Sequence, residues 1–376
     1  MIVYLKPRAP FAQSAPRSDT LFGAIAWAIR LLYGEGELLR LLEQFDHAIA
    51  AQSSPPFLIS SLFPFVESGN GDEREARRTL FLPRPLLASN FDPALDDRYA
   101  HRLFKKLNSA PWMSQSVFEA LARGELGEFE LWTQLLTNPA GSYRLHAGAV
   151  VKAEEIGAVR NLDSLIVTGE SARHSIDRLS AETDSGDSGS GERSFHAPFA
   201  SARAGSKERT GFFFLMEPWP EVVETLKAAL RFLGDRGFGG DVSVGRGHCE
   251  VEFDDRDATF GPQEGERLVL LSLLHPSPAD RRHFASRQHD CFARLERRKG
   301  FIESGLAAEA TPVRKPTLVM FAEGATFPRD GERRLYGSLF KEQAPRAGLS
   351  ERLRINGLAY TVPMKLSAPP GPEVTS

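Results

Sequence analysis

Five of the eleven residues from Gly237 to Gly247 are glycine, and Arg236 and Arg246 sit at and inside its edges. Glycine reaches positive φ at little cost and lets a backbone approach a ligand closely. Successive amides in such a loop form a concave anion site. Arginines beside it add charge-assisted contacts to phosphate. Phe238 offers a ring that can stack on a base. Arg236, Gly237, Phe238, Gly239, Gly240, Asp241, Ser243, Gly245, Arg246 and Gly247 are therefore candidate contacts for a phosphate-bearing ligand. The segment is no Walker A loop, because it lacks the Gly-Lys-Ser/Thr ending. It is no dinucleotide fingerprint either, because it follows a helical pattern and not a strand. The same composition also suits a turn that merely joins a helix to a strand.

A second cluster is Arg173-His174-Ser175-Ile176-Asp177-Arg178, after the strand-like Ser164–Val167. His174 and Arg178 can grip an RNA backbone, and His174 has the chemistry of a general base toward a 2′-hydroxyl. A solvated loop in which Asp177 pairs an arginine is the plainer alternative, a weak surface interaction. The basic runs Arg281-Arg282-His283 and Arg294, Arg297, Arg298, Lys299 read as solvated faces, or as contacts to RNA or a partner. His101, His146, His196 and His289 lack metal-ligand spacing, and Cys249 and Cys291 are too few for a disulfide scaffold. No metal and no cofactor is expected. Nucleophile-elbow and kinase signatures are absent from the sequence.

The elements that must position these residues are legible in outline. Ile2–Lys6 reads as a strand. Ser18 reads as the N-cap of a helix whose apolar residues Leu21, Ile25, Ala28, Ile29 and Leu32 recur at helical spacing. Leu38–Ile49 reads as a second helix and Phe57–Phe63 as a strand. Residues 67–78 read as a polar loop, 96–107 and 114–123 as short helices, and the low-complexity stretch 183–193 as a mobile loop. Gly211–Met216 is a buried-strand run, Val222–Phe232 a helix, and His248–Phe253 an alternating strand. This order is a βαββαβ ferredoxin-like unit with large insertions. Leu268–Leu274, Pro316–Phe321 and Leu353–Leu366 supply strands of a second segment, with the boundary near 255–265.

Composition bounds the rest. With 376 residues, 41% hydrophobic and 25% charged, the chain is globular and long enough for two domains. A formal net charge of -3 excludes nucleic-acid binding by bulk charge but leaves room for a local groove. The apolar segment Leu21–Tyr33 is too short to span a bilayer, and the start of the chain has no signal-peptide pattern. A cytoplasmic protein without membrane contact is expected.

Several of these patches together resemble one family. Ser18-Asp19-Thr20-Leu21-Phe22-Gly23-Ala24-Ile25 after the first strand, Ser175-Ile176-Asp177-Arg178, and the glycine segment are similar to RAMP proteins of CRISPR systems. Pro56–Pro64, Leu82-Pro83-Arg84-Pro85 and Val362-Pro363-Met364-Lys365-Leu366 resemble, more narrowly, the type III-A (Csm) subunit that caps the 5′ end of the guide RNA. The resemblance implies an α+β chain of two ferredoxin-like (RRM-like) domains, with the glycine-rich loop before the last strand of the first. They would span 1–258, with insertions at about 66–160 and 180–210, and 259–376. It implies no catalytic site and binding of the crRNA 5′ handle. It also implies contacts with the large cyclase/polymerase subunit and a backbone RAMP subunit. Carried over by position, the glycine loop tracks handle phosphates, with His174, Asp177 and Arg178 near handle nucleotides. Ser18 and Asp19 then border the same groove at a helix N-terminus, where amides attract phosphate. Two other functions share these features: a RAMP-type endoribonuclease that processes precursor crRNA, and the equivalent subunit of a type III-B complex.

Overall fold

The computed structural model describes residues 1–12, 15–68, 77–87, 101–102, 105, 109–138, 140–171, 193–197, 209–242, 245–256, 259–300, 314–331, 333–341 and 353–366. The chain opens with β1 (Ile2–Pro7), β2 (Phe11–Ala12), α1 (Ser18–Tyr33), α2 (Glu35–Ala51), β3 (Phe57–Ile59) and β4 (Phe63–Ser68). Next come β5 (Arg77–Pro83), β6 (Trp112–Ser114), α3 (Gln115–Ala122), α4 (Glu128–Thr137), β7 (Tyr143–His146), β8 (Ala149–Lys152) and α5 (Ile156–Val159). A ribbon of β9 (Val167–Ser171) and β10 (Arg193–Ala197) follows, then β11 (Arg209–Pro218), α6 (Val223–Arg236) and β12 (Cys249–Asp254).

The main sheet runs β12-β1-β11-β4-β5-β6-β8-β7, with β3 also on β11. Its first four strands are antiparallel neighbours, Tyr4 lying opposite Phe213 and Phe213 opposite Phe63. Counted along the βαββαβ run this is the order 4-1-3-2, the connection that the spacing of strands and helices predicts. Side chains of a strand alternate between faces. Val3, Leu5, Phe212 and Phe214 enter one core with α1, α2 and α6, whereas Ile2, Tyr4, Phe65, Phe213 and Leu215 enter another with α3 and α4. Of the predicted polar loop at 67–78, residues 67–68 belong to β4 and 77–78 to β5, and the rest lies outside the described residues.

Beyond β12 lie β13 (Arg267–Leu270), α7 (Pro278–Ser286), β14 (Leu295–Arg298), β15 (Leu318–Phe321), β16 (Thr326–Pro328), β17 (Gly337–Lys341), β18 (Arg354–Leu358) and β19 (Thr361–Met364). Among the described residues these strands form three small sheets, β16-β13-β19, β14-β15 and β17-β18, and not one four-stranded sheet. The expected single strand at 353–366 is two strands interrupted at Ala359 and Tyr360. Both main cores cross the expected boundary near 255–265. Leu335, Leu339 and Leu358 join the α1–α6 core, and Phe260, Val269, Leu271, Tyr360, Val362 and Met364 join the α3–α4 core. No described helix is long and apolar enough to cross a membrane.

Candidate nucleic-acid interface

The glycine segment links α6 to β12. The helix stops where Gly237 turns to φ +107, its amide donating to the Leu233 carbonyl at 2.7 Å. The loop is then closed at a neck. The Phe238 amide donates to the Gly247 carbonyl at 3.0 Å, and the Gly247 amide to the Pro10 carbonyl at 3.0 Å. A Cβ on Gly247 would lie 2.1 Å from the Phe238 carbonyl oxygen, and one on Gly237 would lie 2.5 Å from that of Arg246. At these two positions the backbones approach too closely for any side chain. The buried Cys249 thiol reinforces the neck by donating to the Gly247 carbonyl at 3.3 Å. Burial pushes that thiol up to about 12, so it stays a protonated donor at neutral pH. Phe238 is fully buried in the α1–α6 core beside this neck. Its ring is therefore packing, and it presents no stacking face to solvent.

The tip of the loop differs from its neck. Gly239, Gly240 and Gly245 are exposed. The Pro16 Cγ lies 3.7 Å from a Cβ built on Gly239, the Ala12 Cβ lies 3.6 Å from one on Gly240, and nothing lies within 4 Å of one on Gly245. Asp241 adopts φ +60 between them. The tip thus rests against β2 and the residues that lead into α1. In turn β2 pairs with β10, Phe11 opposite His196 and Ala12 opposite Phe195, and β10 pairs with β9. Segments more than 200 residues apart in sequence therefore meet on one surface. The strands β9 and β10 flank the segment that carries His174, Asp177 and Arg178. Those three residues and Ser243 lie outside the described residues.

Ser18 and Asp19 sit at the start of α1 but are engaged within the chain. Ser18 is not the N-cap, since Arg17 holds that position without a side-chain cap. Its hydroxyl accepts from the Leu273 amide at 2.9 Å, and its amide donates to the Ser61 hydroxyl at 3.1 Å, all fully buried. Asp19 accepts from both Nε and Nη2 of Arg298, at 2.9 and 2.8 Å. Burial lowers the Arg298 pKa, but Asp19 outweighs it and holds the guanidinium above its ordinary value. Arg17 pairs Glu323 at 3.0 Å and Glu296 at 3.3 Å. The first turn of α1 is thus a polar latch onto the C-terminal half. Its pairing with Ser61, Arg298 and Glu323 is not legible in the sequence, because each bond spans a large sequence separation.

Arg8, 66% exposed and only 3.8 Å from the exposed Glu250, stands at the neck, its amide bonded to the His248 carbonyl at 2.8 Å. Arg236 and Arg246 are half-buried on either side. An exposed, amide-rich tip with arginines around it suits contacts to anionic oxygens. Among the described residues no cluster of three or more His, Cys, Asp or Glu side chains could hold a metal ion.

Residues 263–341 match the family described as CRISPR Csm4 C-terminal domain. A curated relative, CRISPR system Cms protein Csm4 of Thermococcus onnurineus (strain NA1), is 27% identical over 381 residues, covering 99% of this chain and 98% of the relative. A chain of the Csm3–Csm4 subcomplex of the type III-A CRISPR-Cas interference complex superposes with a TM-score of 0.58 at 16% identity, covering 96% of this chain and 99% of its own. A chain of the Csm1–Csm4 cassette in complex with pppApA gives 0.52 at 21% identity, with 98% of both chains covered. The two solved structures show that the chain shares its fold, over almost its whole length, with a chain of each of these complexes. The matched C-terminal domain and the curated relative are both described as Csm4.

Proposed function

We propose that this chain is a non-catalytic RNA-binding scaffold of a type III-A CRISPR effector complex. It holds the 5′ handle of crRNA and links the large cyclase/polymerase subunit to the first backbone RAMP subunit in antiviral defence. Its two halves are read as ferredoxin-like domains, the second broken into smaller sheets. The order 4-1-3-2 supports this reading for the first half, and the Csm4 C-terminal match supports it for the second. The observation that carries the RNA reading is the exposed glycine-loop tip, which packs against β2 and the residues that lead into α1. Sequence-specific contact with a short single strand uses such backbone amides and arginines without a basic surface everywhere.

Two measurements test it. Purification of the tagged protein from its own cells, with sequencing of bound RNA 5′ ends, should give one shared repeat-derived end before variable spacers. Contact with about four phosphates predicts a log–log salt slope near -3 for handle binding by the purified protein. Metal-independent cleavage of repeat RNA that His174→Ala abolishes would overturn the scaffold reading in favour of an endoribonuclease. Protein recovered intact and without RNA would return the glycine segment to the role of a plain turn.

A further inference from the structure

A groove of about 1200 Å³ opens on the seam between the two halves. Ile49 near the end of α2, Pro55, Leu58 of β3, Ala279 of α7 and Leu335 before β17 give it apolar walls. Its floor is rigid. The fully buried Asp280 carboxylate accepts from the Ser277 amide at 2.7 Å and the Gly337 amide at 2.9 Å, and lies 2.9 Å from Arg333 Nη2. Arg333 is held further over the Tyr336 ring at 4.9 Å. A groove fixed in this way loses little conformational freedom when occupied.

The charges at its rim are of two kinds. Arg282 and Arg334 are exposed, and among the described residues neither makes an ion pair. The carboxylates have neighbours within the chain: Glu217 lies by the buried Tyr360 hydroxyl, and Asp330 lies 3.8 Å from His283 and 3.9 Å from Arg333. The surplus charge offered to an occupant is therefore positive. RNA suits the groove poorly. Among the described residues no aromatic side chain lines it, so it lacks a stacking platform.

We propose that this groove docks an acidic, apolar-anchored segment of a protein neighbour in the effector complex. Apolar side chains of the segment fill the wall between α2 and α7, and flanking carboxylates pair Arg282 and Arg334. The assignment rests on the scaffold function above and adds a surface on the face formed by α2, α7 and the start of β17, built from residues that the RNA-binding surface does not use.

The test uses the assembled complex with all its subunits. Arg282→Lys and Arg334→Lys together keep the charge and supply amines, and a carbodiimide then joins those amines to carboxylates in direct contact. Crosslinks from positions 282 or 334 to Asp or Glu of a protein subunit, within an apolar-containing stretch, are expected. Arg282→Glu with Arg334→Glu should weaken that neighbour by about tenfold or more, and Ala279→Glu, exposed on the groove wall, should act in the same direction. Guide content should stay unchanged in both. Absence of crosslinks with unchanged subunit occupancy overturns the proposal, as does loss of guide RNA in place of a protein neighbour. A wild-type complex that holds its protein neighbours but no guide refutes the RNA function instead, and leaves the crosslinks to decide the groove.

Discussion

Gly247 and Gly245 both take positive φ, +74 and +82, yet alanine should affect them very differently. In Gly247→Ala the new Cβ lies 2.1 Å from the Phe238 carbonyl oxygen and 2.7 Å from its nitrogen. The backbone there is pinned by the Phe238-to-Gly247 and Gly247-to-Pro10 hydrogen bonds, both 3.0 Å. Relief means breaking at least one of them next to buried groups, at about 1–3 kcal/mol. The left-handed conformation adds about 1–2 kcal/mol for a residue with a side chain. The sum is about 2–5 kcal/mol, against about 1–2 kcal/mol for Gly245→Ala, which has no atom within 4 Å of its new Cβ. Urea denaturation followed by circular dichroism measures both. Equal midpoints for the two variants would refute the division of the loop into a structural neck and a free tip.

Arg246→Glu places negative charge beside the loop, so handle affinity should fall about tenfold, read by filter binding at fixed salt. Ser18→Ala removes the buried acceptor of the Leu273 amide, and stability should drop by about 1–3 kcal/mol with handle affinity per folded molecule unchanged. Acid sensitivity should trace partly to Glu252. Burial raises its pKa, but hydrogen bonds from Lys6 and Arg78 outweigh this and hold it below the ordinary glutamate value of 4.5. A depressed carboxylate stabilises the fold above its unfolded pKa, and that contribution is lost as the pH falls through the lower folded value. Glu252→Gln should therefore flatten the loss of stability below about pH 4.5. Glu128, raised by burial despite Arg84, works in the opposite sense, so the slope difference between variant and wild type is the quantity to read. Parallel slopes would count against the Glu252 account.

The strands and helices with strong periodicity were legible one by one. Phe212-Phe213-Phe214 reads as a buried strand, and β11 is the strand that places those rings alternately in the two cores. The extension β5-β6-β8-β7 was not legible. Only the end of β5 was, where Phe81-Leu82-Pro83 reads as extended; β6, β7 and β8 have three or four residues each, and β6 pairs with β8 across a helical pair. Ser18 looked like an N-cap because serine at that spacing usually is one. The tertiary bond to Leu273 takes its hydroxyl instead, and nothing near Ser18 in sequence announces a partner 255 residues away. Phe238 looked like a stacking ring because it sits among glycines. The neck that those glycines allow encloses it.

The same contrast separates what the resemblance to RAMP proteins reports from what binds. Leu21, Phe22 and Ile25 fill the α1 core, Ser18 latches the helix to the C-terminal half, and Asp19 fixes Arg298. Each of these positions has a reason in the fold alone. The latch also explains why a boundary drawn in the sequence near 255–265 does not divide the cores: α1 packs against both halves, and Leu358 shares its cluster. Residues that contact a ligand must be those the fold leaves uncommitted. At the candidate interface these are Gly239, Gly240 and Gly245 at the tip. Substitutions in the latch should therefore move stability first, and substitutions at the tip should move RNA affinity first. A latch variant that lost RNA at full stability would show that the start of α1 contacts the guide directly.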